Sequence, residues 1–283
     1  MKLKQELLVQ PAGELWKSIR VELKEDVTTQ TGPIMTFLRG SSFSLEKCKR
    51  KLDMYFTMRA ACPEFFTKRD ATRPELNDIM TNKMTAASRH HTKWQKSIHP
   101  DLTSQQITDT LKLALMIGDV RLTEEKEGVA GDIYVLDAAV LGASMLAKLS
   151  AATIKKFMIC VQEAYPIKLK EVHIINTSPL VERFVNFVKP FLKEKIRKRI
   201  YIHREVKDLY KYIPQEMLPS EYGGQCGSMA TLQEQWKLKL QEYRDWFKRQ
   251  DSIIANESLR PGRPTNYDEL FGIDGSFRQL SID

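Results

Sequence analysis

Three short apolar runs constrain this chain more than any other feature: Ile133-Tyr134-Val135-Leu136, Val172-His173-Ile174-Ile175 and Ile200-Tyr201-Ile202. Each is too short for a helix and nearly continuous in apolar residues, as a strand covered on both faces must be. The stretches between them have helical spacing. Ser150 stands at a cap position before Ile154, Phe157, Met158, Val161 and Tyr165, and Pro166 ends that segment. Strands joined by crossovers of this length pair in parallel with right-handed connections. The expected fold is α/β: a mostly parallel sheet flanked by helices.

The second crossover is unusual. Ser178-Pro179 provides a cap and a first-turn proline. Leu180, Val181, Phe184, Val185, Phe187, Val188, Phe191 and Leu192 follow, more apolar than a helix with one side in water requires. Phe184, Val188 and Phe191 fall on one stripe that reads as core, whereas Val185 and Phe187 point elsewhere on the wheel. A packed core helix and a lid beside a groove or membrane both fit this pattern. The residues alone leave the choice open.

From Pro190 to Arg199 the chain turns densely basic. The net charge is +8, and between Pro166 and Lys211 twelve Lys and Arg stand against five Asp and Glu. Nearly all the excess lies in this one stretch, which fits an anionic partner or a solvated basic face. Nucleic acid is not expected, because the basic residues adjoin the apolar helix and lack a platform of stacking aromatics.

Upstream, Leu7, Leu8, Leu15, Trp16, Ile19 and Leu23 have helical spacing, and Thr31-Gly32-Pro33 reads as a turn. Ser44 is placed to cap a helix carrying Leu45, Cys48, Leu52, Tyr55 and Phe56. Lys83 to Asp101 is polar and irregular, and Ile107, Leu111, Ala114, Leu115 and Gly118 suggest a further helix. Thr231-Leu232-Gln233-Glu234 fits a capping box opening one long helix with Leu232, Trp236, Leu240, Tyr243 and Phe247. The expected organisation is a helical region at 1–70, a central domain at 71–231, and a C-terminal helix with an irregular tail at 232–283.

Catalytic signatures are missing. No glycine-rich phosphate loop, nucleophile elbow or zinc-binding helix motif occurs, so neither an enzyme nor a cofactor is expected. His173 reads as a hydrogen-bonded structural histidine and Asp137 as the cap of the turn after its strand. His90, His91 and His99 lack a third ligand at a useful spacing, so no metal is expected. Cys48, Cys62, Cys160 and Cys226 are far apart and read as four buried free thiols in a reducing compartment. No apolar run reaches the ~18 residues of a membrane span. The first residues, with Glu6 and Glu14, lack the pattern of a secretory signal. A cytoplasmic location is expected.

Several segments together resemble the CRAL-TRIO family of lipid-binding proteins. They are Phe37-Leu38-Arg39-Gly40 with Phe43-Ser44-Leu45-Glu46-Lys47, the strand Gly131 to Asp137, the run from Gln162 to His203, and Leu218-Pro219-Ser220-Glu221-Tyr222-Gly223-Gly224. The resemblance is nearest the branch of tocopherol- and retinoid-carrying members. It implies a monomeric carrier that encloses one hydrophobic ligand between a sheet floor and a mobile lid helix, here Leu180 to Val188. It also implies exchange of that ligand at phosphoinositide-containing membranes, with a phosphoinositide-binding adaptor that moves no cargo as the alternative.

Carried over by position, the resemblance assigns the ligand lining to Ala114, Gly118, Tyr134, Phe157, Cys160, Val161, Tyr165, Val172, Val181, Phe184, Val185 and Val188. Tyr165 replaces a pocket phenylalanine, which adds a hydroxyl to that position. Head-group contacts fall to Lys168, Lys170, Lys189, Lys195 and Arg199. Lys195 and Arg199, four apart, are expected on one helical face. Two departures stand out. Lys83 to Asp101 does not reproduce the family's usual edge-strand sequence, and Gly32-Pro33 stands where acidic residues usually precede Phe37-Leu38-Arg39.

Overall fold

The computed structural model describes residues 31–89, 92–97, 101–124, 131–260 and 263–272. The expected helix in residues 1–30 and the histidines His90, His91 and His99 lie outside them. Helix α1 (Thr31–Gly40) begins where the sequence suggested a turn. Pro33 is tolerated because first-turn amides have no intrahelical acceptor, so its missing N–H loses nothing. A tight turn follows, with Ser42 and Phe43 both left-handed at φ 55° and 58°. Ser44 then caps α2 (Leu45–Ala61), accepting from the Lys47 amide at 3.5 Å. Short helices α3 (Pro63–Phe66) and α4 (Pro74–Asp78) each start on a proline, and α4 runs into a π-helical turn, Ile79–Lys83.

The polar stretch after Lys83 forms a hairpin of two strands, β1 (Met84–Arg89) and β2 (Thr92–Ser97), rather than an irregular segment. Met84 stands opposite Ser97 and Arg89 opposite Thr92 in antiparallel register. Then come α5 (Ser104–Glu124), β3 (Asp132–Asp137), α6 (Ala143–Ala147) and α7 (Ala151–Ile159), capped by Ser150 as expected. A π-helical turn, Cys160–Ala164, carries α7 to β4 (Leu169–Ile175). Helix α8 (Pro179–Val188), a tight turn at Lys189–Phe191 and α9 (Glu194–Arg197) lead to β5 (Ile200–Ile202).

The sheet order is β1-β2-β3-β4-β5, and every pairing from β2 onward is parallel. The fold is the mixed α/β sheet with flanking helices expected from the three apolar runs. Alternation along the strands gives the sheet two buried faces. One carries Leu136, Ala138, Val172, Ile174, Ile200 and Ile202 and meets α8. On the other, Val135 and Ile175 pack with Leu209, Ile213, Leu218, Tyr222, Met229 and Leu232.

A separate core joins the first helices to the end of α7. Phe37, Leu38, Cys48, Leu52, Tyr55, Phe65, Cys160 and Tyr165 all belong to it. Cys48, Cys62 and Cys160 are buried free thiols, but Cys226 is only half-buried, which corrects the expectation of four buried ones. Burial pushes the Cys48 thiol up to about 11, so it stays protonated and unreactive.

The C-terminal helix starts three residues earlier than its capping-box pattern suggested. Ser228 caps α10 (Met229–Glu242), accepting from Thr231 N at 3.0 Å. The chain then breaks at Tyr243 (ψ 5°) before α11 (Arg244–Gln250), so the expected single helix is two. Short α12 (Tyr267–Phe271), capped by Asn266, packs Phe271 into the first core.

Candidate functional site

Helix α8 is the residue-level key to the site. Its cap works as the sequence suggested: Ser178 Oγ accepts from Val181 N at 3.3 Å, and Pro179 opens the helix. The buried stripe is Val181, Val185 and Val188, spaced i, i+4 and i+7. Val185 therefore faces inward, whereas Phe184 is only half-buried and Phe191 lies beyond the helix in the turn. Of the expected stripe of Phe184, Val188 and Phe191, only Val188 is buried, and Val181 and Val185 take the other two places. The outer face stays apolar, with Leu180 38% and Phe187 43% exposed. Phe187 contacts the Phe191 ring edge-on at 5.6 Å and lies 6.3 Å from Phe184, so an aromatic ladder runs along the outside.

Beneath α8 the sheet presents two rows of side chains in register. Tyr134, Val172 and Ile200 form one row, and Leu136, Ile174 and Ile202 the next. Val181 and Val185 rest on this floor with Ala138. Of the expected lining residues, Tyr134, Val172, Val181 and Val185 are thus brought together. Sequence reasoning omitted Leu136, Ile174, Ile200 and Ile202, although period-two alternation marks Leu136 from Tyr134 and Ile174 from Val172.

Phe184 and Val188 lie on α8 itself, Val188 in its buried stripe, and the remaining expected lining residues lie elsewhere. Phe157, Cys160, Val161 and Tyr165 pack in the first core with the N-terminal helices. Gly118 lies against the Tyr165 ring: a β-carbon on it would stand 3.2 Å from Tyr165 Cε1. Ala114, half-buried, lies one turn before Gly118 on α5. The Tyr165 hydroxyl donates to Asp119 Oδ1 at 2.6 Å. Tyr55 OH donates to the same oxygen at 2.9 Å, and Arg69 Nη1 reaches Oδ2 at 2.5 Å. Arg59 bonds Tyr55 OH at 3.0 Å and the Gln250 carbonyl at 2.6 Å. Burial, then the Asp119 charge, push both tyrosine pKa values well up. The one signal for this network was a carboxylate inside the apolar stripe of α5.

The basic residues gather where β4 and β5 begin. Lys168 and Lys170 are exposed at the start of β4, and the Lys168 carbonyl accepts from Asp132 N at 2.8 Å. Arg199 is not on a helical face with Lys195, because α9 ends at Arg197. Its guanidinium instead donates to the Leu169 carbonyl, between the two lysines, while its own carbonyl accepts from Val172 N at 2.8 Å. Lys195 is exposed on α9, and Lys189 Nζ bonds Asn186 Oδ1 at 2.8 Å at the end of α8. Nearby Lys193 and Lys198 are paired with Glu163 (2.5 Å) and Glu194 (2.7 Å). Among the described residues, Lys168, Lys170 and Lys195 have no carboxylate partner, which leaves their charge for an external anion.

Asp137 holds the far end of the sheet together. Its Oδ1 accepts from Ala139 N and Asn176 Nδ2, both at 3.0 Å, and its Oδ2 from Tyr222 OH at 2.9 Å. It caps the turn after β3, as expected, and also ties the closing loop to the strand ends. Among the described residues no group of three His, Cys, Asp or Glu is arranged to hold a metal ion, and no described helix is long and apolar enough to cross a membrane.

Comparison with known proteins agrees with this architecture. Residues 85–224 match the family model described as the CRAL/TRIO domain, and residues 19–76 match one described as a Pinta-like UBA domain. A human protein named alpha-tocopherol transfer protein-like is 25% identical over 250 residues, covering 81% of this chain and 70% of that protein. Rat clavesin-1 is 26% identical over 198 residues, covering 68% of this chain and 56% of its own length. The crystal structure of Sfh5 superposes with a TM-score of 0.51 at 12% identity, covering 75% of this chain and 80% of that one, which shows the shared fold. The family match supports a lipid-binding or lipid-transfer protein. Residues 85–224 of the chain are thus a domain of the CRAL-TRIO family.

Proposed function

We propose that the protein binds one lipophilic isoprenoid or retinoid between α8 and the sheet floor and exchanges it at phosphoinositide-containing membranes. The observation that carries this reading is the two-sided apolar character of α8 beside an unneutralised basic edge. Val181 and Val185 cover the floor, while Leu180 and Phe187 face outward, toward a bilayer. Burying one such side chain contributes about 1.5–3 kcal/mol, so a lid of this size has several kcal/mol to exchange between floor, cargo and acyl chains. Lys168, Lys170 and Lys195 supply the charge that brings this face to anionic head groups. Relatives named alpha-tocopherol transfer protein-like support the cargo class. The carrier acts as a cytoplasmic monomer, without catalysis or cofactor, and meets membranes transiently.

The test is mass spectrometry of organic extracts of the purified protein, with uptake and transfer assays on liposomes containing tocopherols, retinoids or phosphatidylinositols. Recovery of one lipid class and its transfer between vesicles is expected. Vesicle binding without cargo movement would instead make the protein a phosphoinositide-binding adaptor. Absence of any bound or acquired lipid would overturn the carrier reading.

A further inference from the structure

We propose that the turn between α1 and α2 is a second membrane anchor, in which Phe43 enters an anionic bilayer beside the basic edge. This inference rests on the membrane exchange proposed above and adds a contact outside the CRAL/TRIO domain. Phe43 is 54% exposed, although Phe37 and Leu38 just before it are 2% and 1% exposed. A residue immediately before a helix cap ordinarily packs back onto the helix. Phe43 leaves half its surface in water instead.

The turn holds this position firmly. Ser42 and Phe43 are consecutive left-handed residues bearing β-carbons, which persist only where the surroundings fix them. The Phe43 amide donates to the Leu38 carbonyl at 2.8 Å, and Ser42 N to the Arg39 carbonyl at 3.0 Å. Gly40 sits so close to Pro166 that any β-carbon there would overlap the Pro166 carbonyl. Lys51 Nζ adds two bonds to the same segment, to the Gln162 and Tyr165 carbonyls at 3.0 and 2.8 Å. The chain reaches Lys168 two residues after Pro166 and Lys170 four after it, so the Phe43 turn and the basic edge move as one body.

Charge decides the occupant. The exposed neighbours of Phe43 are Ser42, Glu46, Lys47 and Arg50, and Lys168 and Lys170 lie beyond the Pro166 contact. A single aromatic wedge with Lys47 and Arg50 on the helix that follows it, against one Glu46, and Lys168 and Lys170 beyond it suits acyl chains beneath anionic head groups. A protein partner would bury about 800 Å² per side around a centre depleted of charge, and the surface around this turn is charged.

The experiment uses the full chain with Phe43→Trp and Phe43→Ser, and phosphatidylcholine vesicles with and without phosphatidylinositol bisphosphate. The wild type, with its own four tryptophans, gives the baseline. Phe43→Trp should gain blue-shifted emission on the phosphoinositide vesicles that brominated lipids quench. Phe43→Ser should keep its lipid content and melting temperature but partition about tenfold more weakly. If Phe43→Trp binds the vesicles with unchanged emission, this anchor is wrong and the membrane reading stands. If its emission is already blue without vesicles, the chain's own residues cover the site and the inference fails. If the wild type binds no vesicles, both readings fail.

Discussion

His173 Nδ1 lies 2.9 Å from His203 Nε2, and His173 Nε2 lies 2.9 Å from Glu171 Oε2. A carboxylate only accepts, so His173 Nε2–H donates to Glu171, and His173 Nδ1 then accepts from His203 Nε2–H. The two imidazoles join β4 to the residue following β5, with Tyr201 stacked on His173 at 5.2 Å and Tyr212 tilted over it at 4.8 Å. A proton added at His173 Nδ1 removes the acceptor and with it this hydrogen bond.

Acid should therefore weaken the fold through these residues. Burial depresses both histidine pKa values below the ordinary 6.5, and His173 lowers that of His203 further. Asp208 opposes the shift of His203, while Lys211 reinforces it. Below about 6.5 the unfolded chain binds protons first, so stability present at neutral pH is lost as pH falls toward the folded values. Melting temperature should fall between about pH 7 and pH 5 and the fall should shrink in His203→Gln, which keeps a donor. Glu257, held at about 2 by Arg260, acts only below its ordinary 4.5, so its loss appears as a separate step. A wild-type melting temperature that is flat across the histidine window would reject this account.

The Asp119 network sets a second expectation. Its carboxylate is fully buried and receives two hydroxyls and the Arg69 guanidinium, with Arg59 3.9 Å away. Asp119→Ala removes the anion that buried Arg59 and Arg69 share, leaving Arg69 with Asp251 Oδ1 at 3.7 Å, and should cost about 3–5 kcal/mol in denaturant unfolding. Tyr165→Phe removes one charged hydrogen bond and should cost about 1–3 kcal/mol. Its lipid content should not change, since the hydroxyl is bonded to Asp119 rather than facing the sheet floor. A change of bound lipid at wild-type stability would return Tyr165 to the ligand lining.

Sequence legibility followed the balance between local and distant forces. β3, β4 and β5 were readable because both faces are covered, which forces apolar runs such as Val135-Leu136 and Ile174-Ile175. β1 and β2 were not, because Thr85, Ser88, Lys93 and Gln95 carry no such pattern and the ladder to β3 supplies the order. The cap at Ser178 was local and legible. The inward face of α8 was not, since apolar residues on both sides give a wheel two solutions and only the sheet selects Val181 and Val185. Asp119, Arg59 and Arg69 come from separate helices and the loop after α3, so no spacing could announce them.

The two faces of α8 should separate experimentally. Val185→Ala removes two methyl groups from a buried position, 7% exposed, and should destabilise the closed arrangement by about 1–2 kcal/mol. Faster loss of a bound fluorescent tocopherol would report it. Phe187→Ser, on the exposed face, should leave unfolding free energy within about 0.5 kcal/mol of wild type and lower vesicle partition instead. Equal effects of both changes on ligand retention would mean that the helix has no distinct outer role.

The basic edge divides in the same way, between charge that serves the fold and charge left over. Arg199 is bonded to the Leu169 carbonyl, so Arg199→Gln should lower stability as well as phosphoinositide-vesicle binding. Lys168 and Lys195 have no carboxylate partner among the described residues, and Gln at either should leave melting temperature unchanged. Each removes about 1 kcal/mol of attraction to an anionic surface, so vesicle affinity should drop about fivefold per site. The loss should fade at high salt, where the screening length shrinks to about 3 Å. Transfer to phosphoinositide vesicles should slow in proportion, while equilibrium affinity for a fluorescent tocopherol stays at the wild-type value. Wild-type transfer rates in the Lys168→Gln, Lys195→Gln double variant at low salt would show the edge to be a solvated face, and release would then have to begin at the outer aromatics of α8.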